Sequence, residues 1–193
     1  MVHDRSSKMS PFVTTPVTSR RKQKGFSLIE LLIVVAIIVI LITMALPRIT
    51  SAKIGANEAA AAGALRQIGQ AETQYSTTYA LKGFADSLAA LGNGGLANGT
   101  TCAPSPDHAC LIDSTLSAGT KSGYKFVVTP GNPVNGVNTS YAAGAAPMAY
   151  NNTGVRLFCM TSDDSQIRAD SNIGASTTPP SGASCSSGQF SPM

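Results

Sequence analysis

The distribution of apolar residues divides this chain into two different kinds of segment. Residues 26–46 form an apolar run of 21 positions in which Glu30 is the only charged residue, whereas the last hundred residues are rich in Gly, Ser, Thr, Asn and Pro. At ~1.5 Å rise per residue, a helix of this length covers ~31 Å, which matches the ~30 Å hydrocarbon core of a bilayer. The pattern therefore predicts a membrane-spanning helix over residues 26–47, followed by one separate body.

A second helical pattern follows the apolar run. It contains no proline from Ile49 to Tyr79 and predicts an amphipathic helix over residues 48–80, which continues the first helix to ~54 residues and ~80 Å. We expect its apolar stripe to cover a sheet, and we expect Glu58 and Arg66 to lie largely elsewhere on the helix. The stripe recurs at spacings of three, four and seven residues: Ile54, Ala61, Leu65, Ile68, Tyr75 and Tyr79.

Strand patterns come late in the chain. Short strand patterns at 123–128, 140–145 and 154–160, with a short fourth at 166–168 and turn-rich segments between them, predict an antiparallel meander over residues 123–170. We expect residues 81–122 to be a connecting loop with a short helix near Leu88, and residues 171–193 to be an irregular tail. The predicted fold class is therefore α+β, a long N-terminal helix packed on a small antiparallel sheet.

The positive charge is concentrated before the apolar run. Residues 1–25 hold six Lys or Arg and one acidic residue, so the rest of the chain holds eight basic and nine acidic residues despite the net charge of +4. The positive-inside rule therefore places residues 1–25 in the cytoplasm and the remainder across or outside the membrane. A body without a basic surplus gives no reason to predict a nucleic-acid partner. Met9 is an alternative start that shortens this first segment.

All four cysteines follow the apolar run, on the side of the chain that is expected to be exported. They show no CxxC spacing, so we predict disulfides in an oxidising compartment in preference to a metal site or four buried free thiols. Three pairings are possible. We favour Cys102 with Cys110 and Cys159 with Cys185, because each closes a short local loop.

The segment from Lys24 to Ala36, which reads KGFSLIELLIVVA, closely resembles the prepilin motif of type IV pilins and type II secretion pseudopilins. The resemblance implies that a membrane-embedded prepilin peptidase cuts between Gly25 and Phe26 on the cytoplasmic side and methylates the new amine of Phe26. Residues 1–25 are then a leader that is removed. The resemblance also implies a ladle-shaped fold in which the long helix carries a small sheet domain.

Glu30 and Pro47 take their expected roles from the same resemblance. It implies that the Glu30 carboxylate meets the N-terminal amine of a neighbouring subunit; because unpaired charges in an apolar core are costly, such a pair favours one stagger between subunits. Pro47 costs ~3 kcal/mol in a helix interior and predicts a kink or a locally melted stretch. The resemblance implies that this stretch extends in a filament. Alternatively, Pro47 with Arg48 only marks the end of the membrane span.

The resemblance implies a structural protein that polymerises with itself. We expect a major type IV pilin, made as an inner-membrane precursor, processed by prepilin peptidase and built by inner-membrane assembly machinery into a filament at the cell surface. The first alternative is a type II secretion pseudopilin of a periplasmic pseudopilus. The second is a membrane-tethered periplasmic module that keeps its anchor and does not polymerise.

No enzymatic site is predicted, because the sequence has no HExxH, GxSxG or P-loop motif and only one histidine, His108, after residue 25. We expect no cofactor and no metal. Asp163, Asp164 and Asp170 lie where some pseudopilins bind calcium, but their spacing fits no EF-hand loop and a solvated turn is favoured. Tyr75 and Tyr79 share a helix face, which we interpret as core packing in preference to electron transfer.

Overall fold

The computed structural model describes residues 25–93, 101–172, 174–186 and 188–193. The chain forms two compact units, Met1–Ile42 and Thr43–Met193. The described part of the first unit is residues 25–27, which have no regular secondary structure, and helical residues 28–42. The second unit contains the rest of this helix, a sheet and the segments that pack on it. Met9 and most of the predicted leader lie outside the described residues.

Helix α1 spans Leu28–Thr78, which is 51 residues. The long helix predicted over residues 26–80 is therefore confirmed to within two residues at each end. The helix assignment is continuous through Pro47, so the locally melted stretch that the sequence suggested there is not present in this structure. After α1 the chain turns at Gly83, which has φ +75°, and a Cβ at this position would lie 2.1 Å from the carbonyl oxygen of Asn138.

The sheet has six antiparallel strands whose order in space is their order in the chain, which confirms the predicted meander. It is larger than predicted, because it starts before residue 123 and takes its last strand from the tail. Three one-turn helices, α2 (Leu88–Leu91), α3 (Ser114–Ser117) and α4 (Gly182–Cys185), lie around it. The strands are β1 (Thr120–Lys121), β2 (Tyr124–Val134), β3 (Val137–Pro147), β4 (Leu157–Thr161), β5 (Arg168–Asp170) and β6 (Ser191–Pro192).

The hairpin of β2 and β3 extends well beyond the predicted strand ends. Its turn is Asn135-Gly136, and both residues have positive φ, as a two-residue primed turn requires. The predicted strand ended at residue 128, whereas β2 continues through Pro130 and Pro133. They are tolerated because β1 pairs only with the first two residues of β2, so the rest of β2 is an edge strand in which a missing N–H costs no ladder bond.

The core lies between α1 and one face of the sheet. Tyr124 and Phe158 are its largest fully buried aromatic residues, and their rings approach to 5.8 Å between centroids. The predicted apolar stripe of α1 is buried from Ala61 to Tyr75, as expected for a helix that covers a sheet. The buried core residues of α1 are Ala61, Ala62, Ala64, Leu65, Ile68, Ala71 and Tyr75.

Glu58 corrects the sequence interpretation, since it is buried against the sheet. Its Oε1 accepts hydrogen bonds from the backbone N–H groups of Val155 and Arg156 at 3.0 and 3.1 Å. Its Oε2 accepts from Arg156 Nε at 2.8 Å, and the Arg156 guanidinium completes an ion pair at 2.7 Å. Burial alone raises the pKa of Glu58, but these hydrogen bonds outweigh it and lower the pKa. This cluster fastens α1 to the loop before β4.

The C-terminal tail, predicted as an irregular surface segment, forms a second layer on the outer face of the sheet. It supplies α4 and β6, and a Cβ at Gly144 of β3 would lie 2.0 Å from the carbonyl oxygen of Pro180. The tail therefore approaches β3 closely because the outward side chains there are small. A second apolar cluster results, made of Ala146, Leu157, Cys159, Cys185 and Phe190.

Two disulfides join Cys102 to Cys110 and Cys159 to Cys185, the same two local pairs that the sequence favoured. The first closes a loop that docks on α1, where the Tyr75 hydroxyl donates to the carbonyl oxygen of Pro106 at 2.7 Å. The second fastens the tail to β4. The first disulfide thus closes an irregular loop on itself, whereas the second fixes an irregular segment to a strand.

Candidate processing and assembly site

The apolar part of α1 in the first unit is exposed on every side. From Leu28 to Ile42 the large apolar side chains are each between 47% and 82% exposed. By length and composition, α1 is the one described helix that qualifies as a membrane span. A helix that is apolar all round is stable only inside a bilayer or among other helices. This segment therefore requires a membrane or a neighbouring subunit.

The peptide bond between Gly25 and Phe26 precedes the first helical residue, Leu28. Phe26 is 83% exposed, and a Cβ built at Gly25 would have no heavy atom of a described residue within 4 Å. The bond is therefore accessible to an enzyme without any helix having to unwind. Contacts among the described residues therefore give no reason for glycine at position 25.

Glu30 caps the start of α1. The backbone carbonyl of Ser27 accepts the first helical hydrogen bond, from the N–H of Leu31 at 3.3 Å, so Ser27 is the N-cap residue. Glu30 Oε2 accepts a hydrogen bond from the Ser27 backbone N–H at 3.2 Å. This is the acidic half of a capping box, in which the third helical residue reaches back to the N-cap. The Ser-x-x-Glu spacing at residues 27–30 is the sequence signal of this cap.

This bond determines where the carboxylate lies. It is directed back towards the helix start, so it is close to the backbone of Ser27 and to the residue that precedes it, Phe26. Negative charge is also favourable at the N-terminus of a helix. Only Oε2 takes part in the capping bond, so the arrangement leaves Oε1 for a further donor.

An accessible Gly-Phe bond, an acidic residue four positions later and an apolar helix thus occur together at the start of this chain. A model of the prokaryotic N-terminal methylation motif matches residues 20–46. The chain carries the prepilin motif of type IV pilins and pseudopilins. The motif supports a pilin-like or pseudopilin-like precursor, and with the apolar helix it fits a precursor in the inner membrane.

The prepilin motif ends at residue 46, before the sheet domain begins. No curated protein and no solved structure gives a significant match to this chain. The arrangement of a long apolar N-terminal helix and a six-stranded antiparallel sheet is nevertheless consistent with the pilin fold. Gly25, Phe26 and Glu30, for which the sequence predicts roles in processing and assembly, lie inside the matched residues, whereas Pro47 lies just after them.

Asp163, Asp164 and Asp170, for which the sequence favoured a solvated turn over a calcium site, lie between β4 and the end of β5. Asp164 forms an ion pair with Arg168 and accepts a hydrogen bond from the Gln166 N–H at 3.2 Å. The Arg168 guanidinium and this N–H hold the pKa of Asp164 below its usual value. Within the described ranges, no three His, Cys, Asp or Glu side chains are grouped in a way that could hold a metal ion. Asp164 therefore has a structural partner already.

Proposed function

We propose that this chain is a structural subunit, and specifically the major pilin, of a type IV pilus. Prepilin peptidase removes residues 1–25 by cutting the Gly25–Phe26 bond and methylates the amine of Phe26. The mature subunit then assembles through residues 26–47, while residues 48–193 form the body at the filament surface. The strongest support is that the apolar part of α1, which lies within the prepilin motif, is exposed on all sides.

Burial of apolar surface drives the assembly. A filament core of packed N-terminal helices removes the exposed side chains of Leu28 to Ile42 from lipid and water, and close packing between helices adds dispersion attraction. The sheet body is covered on its outer face by the tail, which is held by the disulfide of Cys159 and Cys185. A body fastened in this way suits an extracellular filament surface.

The charge at Glu30 selects the stagger between subunits in this proposal. Peptide cleavage creates an amine at Phe26, and neither this amine nor the Glu30 carboxylate is stable unpaired in an apolar core. Glu30 already reaches back to the helix start through its bond to Ser27. It can therefore receive the amine of a neighbouring subunit through its remaining oxygen. In this proposal, the stretch of helix near Pro47 extends during assembly.

The proposed partners follow from this pathway. They are other copies of the chain, the prepilin peptidase, the membrane and the inner-membrane assembly machinery, with no nucleic acid and no cofactor. The precursor is located in the inner membrane and the filament at the cell surface. The alternative, a pseudopilin of a periplasmic pseudopilus, shares the prepilin motif and differs in where the assembled chain is found.

Shearing of cells that produce this chain tests the choice between pilus and pseudopilus. We expect the chain to be the predominant protein of the sheared filament fraction, identified by immunoblot and mass spectrometry, and we expect filaments to disappear when its gene is deleted. An integral inner-membrane protein serves as the control and must be absent from that fraction. A chain that stays in the membrane and periplasmic fractions would overturn the pilus proposal and favour a pseudopilin or a tethered module.

A further inference from the structure

Glu72 is a second buried acidic residue on α1, about four helical turns after Glu58. Its side chain is 0% exposed. Oε2 accepts a hydrogen bond from the backbone N–H of Ala85 at 2.9 Å, while Oε1 has no hydrogen-bond partner among the described residues. The prepilin motif and the proposed assembly route leave this group unexplained.

Glu58 and Glu72 have opposite surroundings. Glu58 accepts several hydrogen bonds and faces a guanidinium, so its ionised form is well solvated by the protein. Glu72 has one neutral donor, and a buried carboxylate with so few donors is unfavourable as an anion. The structure therefore favours the neutral acid at Glu72 and the anion at Glu58.

The titratable groups that act on Glu72 are one acid and two phenols. Asp86 lies on the adjacent loop, Tyr75 on α1 and Tyr141 on β3. Burial, with a smaller contribution from the negative charge of Asp86, raises the pKa of Glu72, and the Ala85 N–H lowers it in part; the net pKa is about 7. None of these three neighbours is a cation that could stabilise the ionised form.

The backbone that Glu72 holds belongs to residues 79–87, which we name the latch loop. On its other side, Asn138 of β3 donates from Nδ2 to the Phe84 carbonyl at 2.9 Å and to Asp86 Oδ1 at 2.6 Å. The Phe84 ring packs on the Tyr141 ring at 4.9 Å between centroids. The Phe84 N–H also donates to the Asn138 carbonyl at 3.0 Å, and the Asn138 N–H donates to the Lys82 carbonyl at 2.9 Å. The latch loop is thus held between α1 and β3 by backbone and side-chain hydrogen bonds and one aromatic pair.

We propose that Glu72 is a proton-operated latch: its neutral carboxyl keeps the latch loop docked on α1 and β3, and its ionised form weakens that docking. The ionised form needs water or cationic partners, and the docked loop excludes water from it. Undocking admits water and also moves the Asp86 charge away from Glu72. The proposal concerns the sheet domain alone and does not depend on filament formation.

The sign of the pH dependence follows from the raised pKa. Docking is fully stabilised below the ordinary glutamate pKa of 4.5 and is weakened as the pH rises through about 7. If Glu72 titrates normally once the loop has opened, the ratio of open to docked loop rises roughly thirtyfold between about pH 5.5 and 8.5. The loop at the Glu58 cluster has no such dependence in this range, because the pKa of Glu58 is lowered.

Hydrogen exchange of the full chain in detergent micelles tests the latch. After correction for intrinsic exchange rates, we expect amide protection in residues 79–87 to fall at least tenfold from about pH 5.5 to 8.5. Protection of residues 153–157, next to Glu58, serves as the internal reference and is expected to stay constant. Equal protection of the latch loop at both pH values would overturn the proposal.

Variants separate the latch from a general loosening of the domain. In Glu72→Gln, which keeps an acceptor for the Ala85 N–H, we expect the pH dependence of the latch loop to disappear. In Asp86→Asn we expect the pH dependence of latch-loop protection to become smaller. This variant tests the latch on its own in the event that Glu72→Gln does not fold. Glu58→Gln is the matched control and should reduce protection of residues 153–157 while the latch loop stays pH-dependent. A pH dependence unchanged in both Glu72→Gln and Asp86→Asn contradicts the latch.

Discussion

Replacement of Glu30 by Ala is expected to abolish filament assembly while the Gly25–Phe26 bond is still cut. In the proposed filament core the amine of Phe26 would lose its partner, and removal of one member of a buried ion pair costs ~3–5 kcal/mol. That cost corresponds to a loss of about a hundredfold or more in each subunit association. Immunoblots of the sheared fraction measure assembly, and mass spectrometry of the membrane-bound chain measures cleavage.

Glu30→Gln is the matched control, because the structure gives Glu30 two roles. A glutamine can still accept the hydrogen bond from the Ser27 N–H that caps α1, but it carries no charge. Loss of the cap alone costs ~1 kcal/mol. We therefore expect Glu30→Gln to assemble nearly as poorly as Glu30→Ala. Normal filament yield from the glutamine variant would show that capping suffices and would refute the charge pair.

Removal of the disulfide between Cys159 and Cys185 is expected to produce the largest loss of stability in the sheet domain. The bond closes a loop with a sequence separation of 26 residues, and loss of a native disulfide from a small exported domain typically costs ~2–5 kcal/mol. The double substitution Cys159→Ala with Cys185→Ala also releases the tail from the outer face of the sheet, including Phe190. Urea unfolding of the full chain in detergent measures the change.

The other disulfide supplies the comparison. Cys102 and Cys110 are separated by only eight residues, so the double alanine variant there should lose less stability. Limited proteolysis gives a second readout: we expect new cleavage between residues 174 and 186 only in the Cys159 and Cys185 variant. Equal stability losses in the two variants, with the tail protected in both, would contradict the second layer described for the tail.

The parts of the fold that depend on local periodicity could be predicted from the sequence. Helix α1 follows from an apolar run and a stripe with helical spacing, and the order of the meander follows from successive strand patterns. The extent of β2 could not be predicted, because Pro130 normally ends a strand. Its tolerance depends on the shortness of β1, which the pattern of a single strand does not show.

The errors concern contacts between residues far apart in the chain. Glu58 was expected to lie away from the apolar stripe of α1. Its partner Arg156 lies 98 residues later, so no local pattern shows that Glu58 is buried. The composition of the tail is typical of a surface loop, and its burial depends on the small residues at Ala142 and Gly144 of β3. Glu72 gave no sequence signal, since its unusual environment arises only when the latch loop folds over it.

The prepilin motif could be predicted from the sequence, because its residues lie within one short segment. The Lys24-Gly25-Phe26 sequence, the spacing to Glu30 and the apolar run are all local features, and the matched motif covers them. The exception is the capping bond between Ser27 and Glu30, which gives the carboxylate a direction before assembly. In the proposed filament, this direction places the Glu30 carboxylate where the amine of another subunit would reach it.

The mass of the N-terminal peptide of the mature chain tests the central claim most directly. Isolation of the protein from membranes and from sheared filaments, followed by digestion and mass spectrometry, is expected to give a peptide that begins with N-methylated Phe26. The same measurement on a Gly25→Val variant should find the uncut leader. A wild-type chain that begins at Met1, at Met9 or at any residue other than Phe26 contradicts processing at the prepilin motif, and with it the proposed assembly.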